Sequence, residues 1–219
     1  MKIDHVYCIN LQRSTDRRAL MEKEFLRENI DVEFFDACDG GDDGTFGCAQ
    51  SHINIWRDIV KNGYENALIL EDDVNLAHNF KVELELLDEP DVWDVLYLYS
   101  FCEIPGRVYN KNFIHGKTLS TAGYIISRRC AGRLHLLEYD DMACPIDLFI
   151  AIKLNLKSFL AKNKLVHMNI PQQIKSEIGI SVDRLTERWS RVYWLEWIDE
   201  HLGIYILFVM LLWLVKFLI

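Results

Sequence analysis

Little in this chain breaks regular structure: it has four prolines and eleven glycines in 219 residues. That scarcity argues against a long disordered region, and no tract repeats or falls into low complexity. Basic residues are also in deficit, 24 Lys and Arg against 33 Asp and Glu, for a net charge of −9. A phosphate backbone needs a basic surface, so nucleic acid is not expected as a partner. None of the six cysteines (Cys8, Cys38, Cys48, Cys102, Cys130 and Cys144) forms a Cys-x-x-Cys pair. A zinc site therefore has poor support from spacing. A chain of this size does not need disulfide staples, and the cysteines read as buried thiols in a reducing compartment. No secretory leader is visible: residues 1–11 carry Lys2, Asp4 and His5 around an apolar stretch of only strand length.

What is present is apolar surface. Half the residues are hydrophobic and 12% aromatic, enough for the core of one large domain, alone or with an appendage. The pattern predicts a strand over residues 3–11, a helix over 15–28 with Ser14 as N-cap and Asp16 in its first turn, and a short strand over 32–35. A glycine-rich loop at 39–44 lacks the spacing of a phosphate-binding loop. A helix over 48–61 follows, stopped at Gly63. Further on, a helix is expected over 80–87 and a strand over 92–99. Residues 100–118 read as a loop or hairpin, with a lid among the readings. A strand over 121–127, a helix over 128–138, a helix opened by Pro145 and a strand over 165–168 complete the alternation. Strands alternating with helices imply an α/β sheet, mostly parallel.

The stretch from Ala67 to Val74 is the centre of the chain. Four apolar residues, Ala67 to Leu70, run into Glu71, Asp72 and Asp73. A short continuous apolar run suits a strand buried on both faces. Three carboxylates at its end repel one another and lose hydration unless something positive is held there. A divalent cation such as Mn²⁺ or Mg²⁺ resolves that conflict. Open α/β sheets bind ligands beyond the carboxyl ends of their strands. The plain alternative is an exposed acidic turn after a core strand.

Two other charged or apolar runs invite a surface reading. Lys153, Lys157, Lys162 and Lys164 form a local basic patch, read first as a solvated face. Trp189, Tyr193, Trp194 and Trp197 precede a terminal run, 202–219, whose one charge is Lys216. As a helix that run would be about 27 Å long, marginal against the bilayer core. Residues 183–201 are accordingly expected as an amphipathic interfacial helix and 202–219 as an apolar membrane anchor. The alternative is a helix packed on the domain or on a second copy, a homodimer.

Several stretches together resemble glycosyltransferase family 25, the lipooligosaccharide galactosyltransferases and their collagen-modifying relatives. They are Tyr7 to Arg18, Gly47 to His52 with Trp56, Leu70 to Val74, Thr121 to Ser127, Pro145 to Asp147, and more weakly Pro171 to Gln173 with Ser176. The blocks come in the family's order over about residues 3–180. The resemblance implies a glycosyltransferase domain at 1–182 with a GT-A-type fold. That fold is a mixed, mostly parallel nucleotide-binding sheet flanked by helices. It implies transfer of galactose or glucose from a UDP-sugar, with inversion, helped by Mn²⁺ or Mg²⁺. The acceptor would be a glycan, a glycolipid or a glycoprotein.

Carried over by position, Asn10, Arg13 and Arg17 would lie near the nucleotide, with Ser51 and His52 in the same cleft. Asp73 would hold the metal, with Glu71 and Asp72 on the ribose or on metal-bound water, Glu71 sharing in the metal site. Asp147 is the candidate base, His52 the substitute. A terminal anchor without a leader would leave the catalytic part on the cytoplasmic face of a membrane. Two other classes stay open: an inactive glycosyltransferase-like binding module or membrane scaffold, and a nucleotidyltransferase or phosphotransferase using the same acids.

Overall fold

The computed structural model describes residues 1–142 and 144–169. The expected interfacial and anchor helices lie outside them. Among the described residues no helix is long and apolar enough to cross a membrane.

The chain opens with β1 (His5–Asn10), α1 (Thr15–Glu28), β2 (Glu33–Asp36), α2 (Gly44–Asn62) and β3 (Asn66–Glu71). β1 runs parallel to both β2 and β3. The short strand β4 (Val74–Leu76) and the helix α3 (Phe80–Glu85) follow. Next come β5 (Val95–Tyr97), β6 (Ile104–Val108), β7 (Phe113–Lys117) and β8 (Gly123–Ser127), then α4 (Arg128–Leu134). The last elements are a helical turn, α5 (Ile146–Leu148), continued by a π-turn to Lys153, and the strands β9 (Ser158–Ala161) and β10 (Val166–Met168).

Among the described residues, eight strands form one sheet in the order β2-β1-β3-β8-β5-β9-β7-β6. β8 and β7 run against the other six, since β8 is antiparallel to β3 and β5, and β7 to β9 and β6. The sheet is thus mixed and mostly parallel in direction, with helices against it, as expected. β4 and β10 form a separate antiparallel pair.

Strand periodicity sorts the core into two layers. Ala67 and Ile69 of β3 join Tyr7, Tyr124 and Ile126 under Ile53, Trp56 and Ile59 of α2. Leu68 and Leu70 point the other way, into Met21 and Phe25 of α1 and Phe80 of α3. β3 is therefore covered on both faces, which is why its sequence is a run and not an alternation.

Helix ends follow local chemistry. The Asp43 side chain accepts the Phe46 N–H at 3.0 Å and starts α2 four residues before the expected Cys48. Gly63, at φ 73°, closes it with its N–H on the Ile59 carbonyl. The 100–118 stretch is not a lid: β6 and β7 form a hairpin within the sheet, and β7 is held by β9. β9 itself is a strand that the sequence pattern does not announce, four buried residues between Lys157 and Lys162.

Gly47 fixes how the 38–43 loop sits on α2. A Cβ there would stand 2.6 Å from the Cys38 carbonyl oxygen and 2.8 Å from the Gly40 nitrogen, both backbone. Gly47→Ala is expected to lower stability by about 1–3 kcal/mol, the usual cost of overpacking, read as a lower urea midpoint with unchanged slope.

Candidate active site

The acidic turn sits at the carboxyl end of β3, where the chain passes into β4. Its three carboxylates have different surroundings. Asp72 is saturated: Asn10 Nδ2 donates to it at 2.7 Å and Arg17 Nη1 at 2.8 Å. Asn10 ends β1 and Arg17 lies in the first turn of α1, so two neighbouring elements hold this one side chain. Glu71, the last residue of β3, accepts from the Thr121 hydroxyl at 2.8 Å. His52 Nε2 lies 3.7 Å from the same carboxylate. Burial works to raise the Glu71 carboxyl, but His52, Thr121 and Arg17 together bring it below its ordinary value.

Asp73 is the uncompensated member. Its nearest described cation, Arg17 Nη1, stands at 3.6 Å and is already bonded to Asp72. Its Oδ1 is buried and has no hydrogen-bond partner. Burial first, and then the charges of Glu71 and Asp72, push its carboxyl up to about 7 in spite of Arg17. The backbone of the turn is fixed nonetheless, because the Asp73 carbonyl accepts the Asn169 N–H at 2.7 Å beside the β4–β10 pair. A rigid turn that presents a lone buried carboxylate oxygen is what a hard divalent cation needs. The residues fit such an ion, with Asp73 as its first ligand and Glu71 beside it.

His52 is fully buried on α2. Its Nδ1 is 2.9 Å from the Tyr124 hydroxyl, which also accepts the Trp56 indole N–H at 3.0 Å. Asp147 belongs to the same neighbourhood. Its carboxyl is raised by burial first and by the Glu71 charge as well, and its own charge acts on the Cys48 thiol. One Asp147 oxygen accepts the Leu148 N–H at 2.7 Å, which anchors the side chain at the start of α5.

The structure thus brings together Asn10, Arg17, His52, Glu71, Asp72, Asp73 and Asp147. Two expected residues stand differently. Ser51 is buried, and its hydroxyl donates to the Gly47 carbonyl at 2.6 Å and accepts the Cys38 N–H at 2.9 Å. It ties the 38–43 loop to α2, a structural post and not a cleft contact, because both its bonds are internal. Arg13 is half-exposed at the rim and pairs with Asp39. Arg17 is bound to the acidic turn, since buried Asp72 needs a counter-charge.

Sequence reasoning passed over Thr121, Tyr124 and Cys48. Tyr124 reaches the site through the β3–β8 pairing and Thr121 stands just before β8, which no local pattern reveals. Cys48 had a legible signal: it stands four residues before His52, on the same face of α2.

Comparison with known proteins adds the family. The model of "Glycosyltransferase family 25 (LPS biosynthesis protein)" matches residues 3–45 and 42–105. Over these residues the chain is similar to glycosyltransferase family 25. A glycosyltransferase 25 family member of Aedes aegypti is 29% identical, over 71% of this chain and 32% of that protein. Human procollagen galactosyltransferase 2 is 26% identical, over 71% of this chain and 31% of its own length. The chain therefore spans about a third of the length of these relatives. Among solved structures, a glycosyltransferase involved in the glycosylation of the major capsid of PBCV-1 overlays at a TM-score of 0.45. It is 10% identical, over 71% of this chain and 80% of its own.

Proposed function

We propose that this chain is a metal-dependent, inverting glycosyltransferase of family 25. It moves a hexose, galactose or glucose, from a UDP-sugar to a hydroxyl of a glycan, a lipid-linked sugar or a protein. The observation that carries this reading is the buried, unpartnered Asp73 oxygen beside Glu71 at the end of a central strand. Similarity to the family 25 model and to galactosyltransferases supports the transferase class and the sugar.

When bound, Mn²⁺ or Mg²⁺ would supply Lewis-acid stabilisation of charge on the departing diphosphate. The residues themselves do the rest. Arg17 and Asn10 hold Asp72 immobile, so the turn is organised before any ligand arrives. Thr121 fixes the orientation of Glu71. Asp147 takes the proton of the acceptor hydroxyl. Its raised pKa places it nearer neutrality than a free carboxylate, which strengthens it as a base. His52, held by Tyr124, stays in reserve as a positioning group for Glu71.

Free UDP measured with UDP-galactose and UDP-glucose, with and without Mn²⁺, tests the reading. Metal-dependent UDP release is expected with at least one donor. UDP binding without release would mark an inactive binding module, and pyrophosphate release from a nucleoside triphosphate a nucleotidyltransferase. The apolar 202–219 stretch is proposed as a membrane tether that keeps the domain near its acceptor on the cytoplasmic face. Truncation before Leu202 should move the protein from the membrane fraction to the supernatant; identical fractionation of both forms would refute the tether.

A further inference from the structure

Cys48, His52 and Glu71 bring a sulfur, a ring nitrogen and a carboxylate oxygen within 4.8 Å of one another. We infer that these three side chains bind a second divalent cation of the zinc class, at a site distinct from the Asp73 oxygen.

The donor set distinguishes the two sites. Mn²⁺ and Mg²⁺ prefer carboxylate, carbonyl and water oxygens, whereas thiolate with imidazole selects zinc among common divalent ions. Cys48 and His52 are one turn apart on α2, so their side chains lie on the same face. Glu71 comes from the end of β3. The 3.7 Å between His52 Nε2 and Glu71 Oε1 is close to the roughly 3.4 Å that separates two donors each about 2.1 Å from a tetrahedral zinc.

The independent sign of a ligand is His52 itself. Its ring is wholly buried, and Nε2 has no hydrogen-bond partner. That atom is one of two such orphans among the described residues, the other being Asp73 Oδ1. Leaving a buried polar atom unpaired costs about 1–3 kcal/mol, so an orphan aimed at a carboxylate and a thiol asks for something between them. With its proton on Nδ1, His52 donates to the Tyr124 hydroxyl 2.9 Å away and turns the Nε2 lone pair toward Glu71. A hydrogen bond on the far ring nitrogen is the usual support of a metal-bound histidine. Thr121 donates to Glu71 Oε1, the same oxygen that lies 3.7 Å from Nε2, and so fixes its position. Three protein donors leave the fourth tetrahedral position to water or a substrate atom, as in open zinc sites.

Co²⁺ titration of the full chain, metal-stripped and kept reduced with a phosphine, tests this apart from sugar transfer. A near-ultraviolet thiolate-to-cobalt band and strong visible bands of tetrahedral Co²⁺ are expected. Both should saturate at about one equivalent and be abolished by Zn²⁺. Cys48→Ser should lose the thiolate band, and Asp73→Asn should keep it. Glu71→Gln, which leaves the cysteine in place, should weaken Co²⁺ binding by about 10-fold or more. Circular dichroism confirms that each variant is folded. Absence of the thiolate band in the wild type overturns the site. So does an undiminished band in folded Cys48→Ser, which would assign the sulfur to another cysteine, or undiminished affinity in Glu71→Gln.

Discussion

Asp73→Asn is expected to abolish metal-supported sugar transfer, by on the order of 10²-fold or more, the scale of losing a main electrostatic support of the transition state. The same substitution should stabilise the metal-free protein. Asp73 is pushed up from an ordinary carboxylate value of 3.8 to about 7 in the fold. Between those values the folded chain binds more protons at this residue than the unfolded chain does. Stability therefore falls as pH rises through that window, and above it the whole cost of an ionised Asp73 beside Glu71 and Asp72 is present. Asparagine removes that cost. At pH 7.5 without metal, a gain of about 1 kcal/mol would raise the melting temperature by roughly 2–4 °C for a chain of this size. With Mn²⁺ the order should reverse, because the wild type gains from binding and the variant does not. A variant less stable than the wild type without metal would contradict the repulsion ascribed to this turn.

Asp147→Asn is expected to cost about 10² to 10⁴ in kcat, the range for removing a general base. The affinity for the UDP-sugar should hardly change, since Asp147 faces the acceptor side of the reaction in this account. Asparagine keeps an oxygen that can accept the Leu148 N–H, the bond seen at 2.7 Å, so α5 should keep its start. The pH profile separates base from helix-start residue. In the wild type kcat/KM should rise as Asp147 loses its proton, at a pH above that of an ordinary aspartate because its pKa is raised by burial and by Glu71. In the variant that limb should disappear. A variant that keeps the limb and loses stability instead would make Asp147 a structural residue, and His52 would become the group to test.

Much of the fold could be read from the chain because burial leaves a local imprint. β3 announced itself by an apolar run that ends in acids, and α1 by its spacing and the polar residues at its start. Gly63 stopped α2 by the left-handed backbone that glycine accepts freely. β9 escaped because its four residues, Ser158 to Ala161, are too few to show a period. The lysines around it pointed instead to a solvated surface. The hairpin of β6 and β7 was one of the readings of 100–118, beside a loop and a lid, because Pro105 and Gly106 in β6 and Gly116 in β7 punctuate it. An edge strand tolerates proline, and β6 is the edge.

In the site, the acids were legible and their partners were not. Nothing local says that Arg17 answers Asp72, or that Tyr124 arrives from β8 and Thr121 from just before it. Ser51 looked like a cleft residue beside His52, yet one step along a helix turns a side chain by about 100°, and Ser51 faces the Cys38 loop. Cys48 was set aside because zinc was sought at the close cysteine pairs of sequence motifs, whereas its partners are a helical turn and a strand away.

The most direct test is Mn²⁺ binding followed by electron paramagnetic resonance at pH 7.5, with saturating UDP, in the wild type and in Asp73→Asn. The wild-type chain should take up one Mn²⁺ per molecule of bound UDP, and the variant should leave the ion free at the same concentrations. Equal uptake by both proteins would contradict the claim that the orphaned Asp73 carboxylate is the grip on the metal.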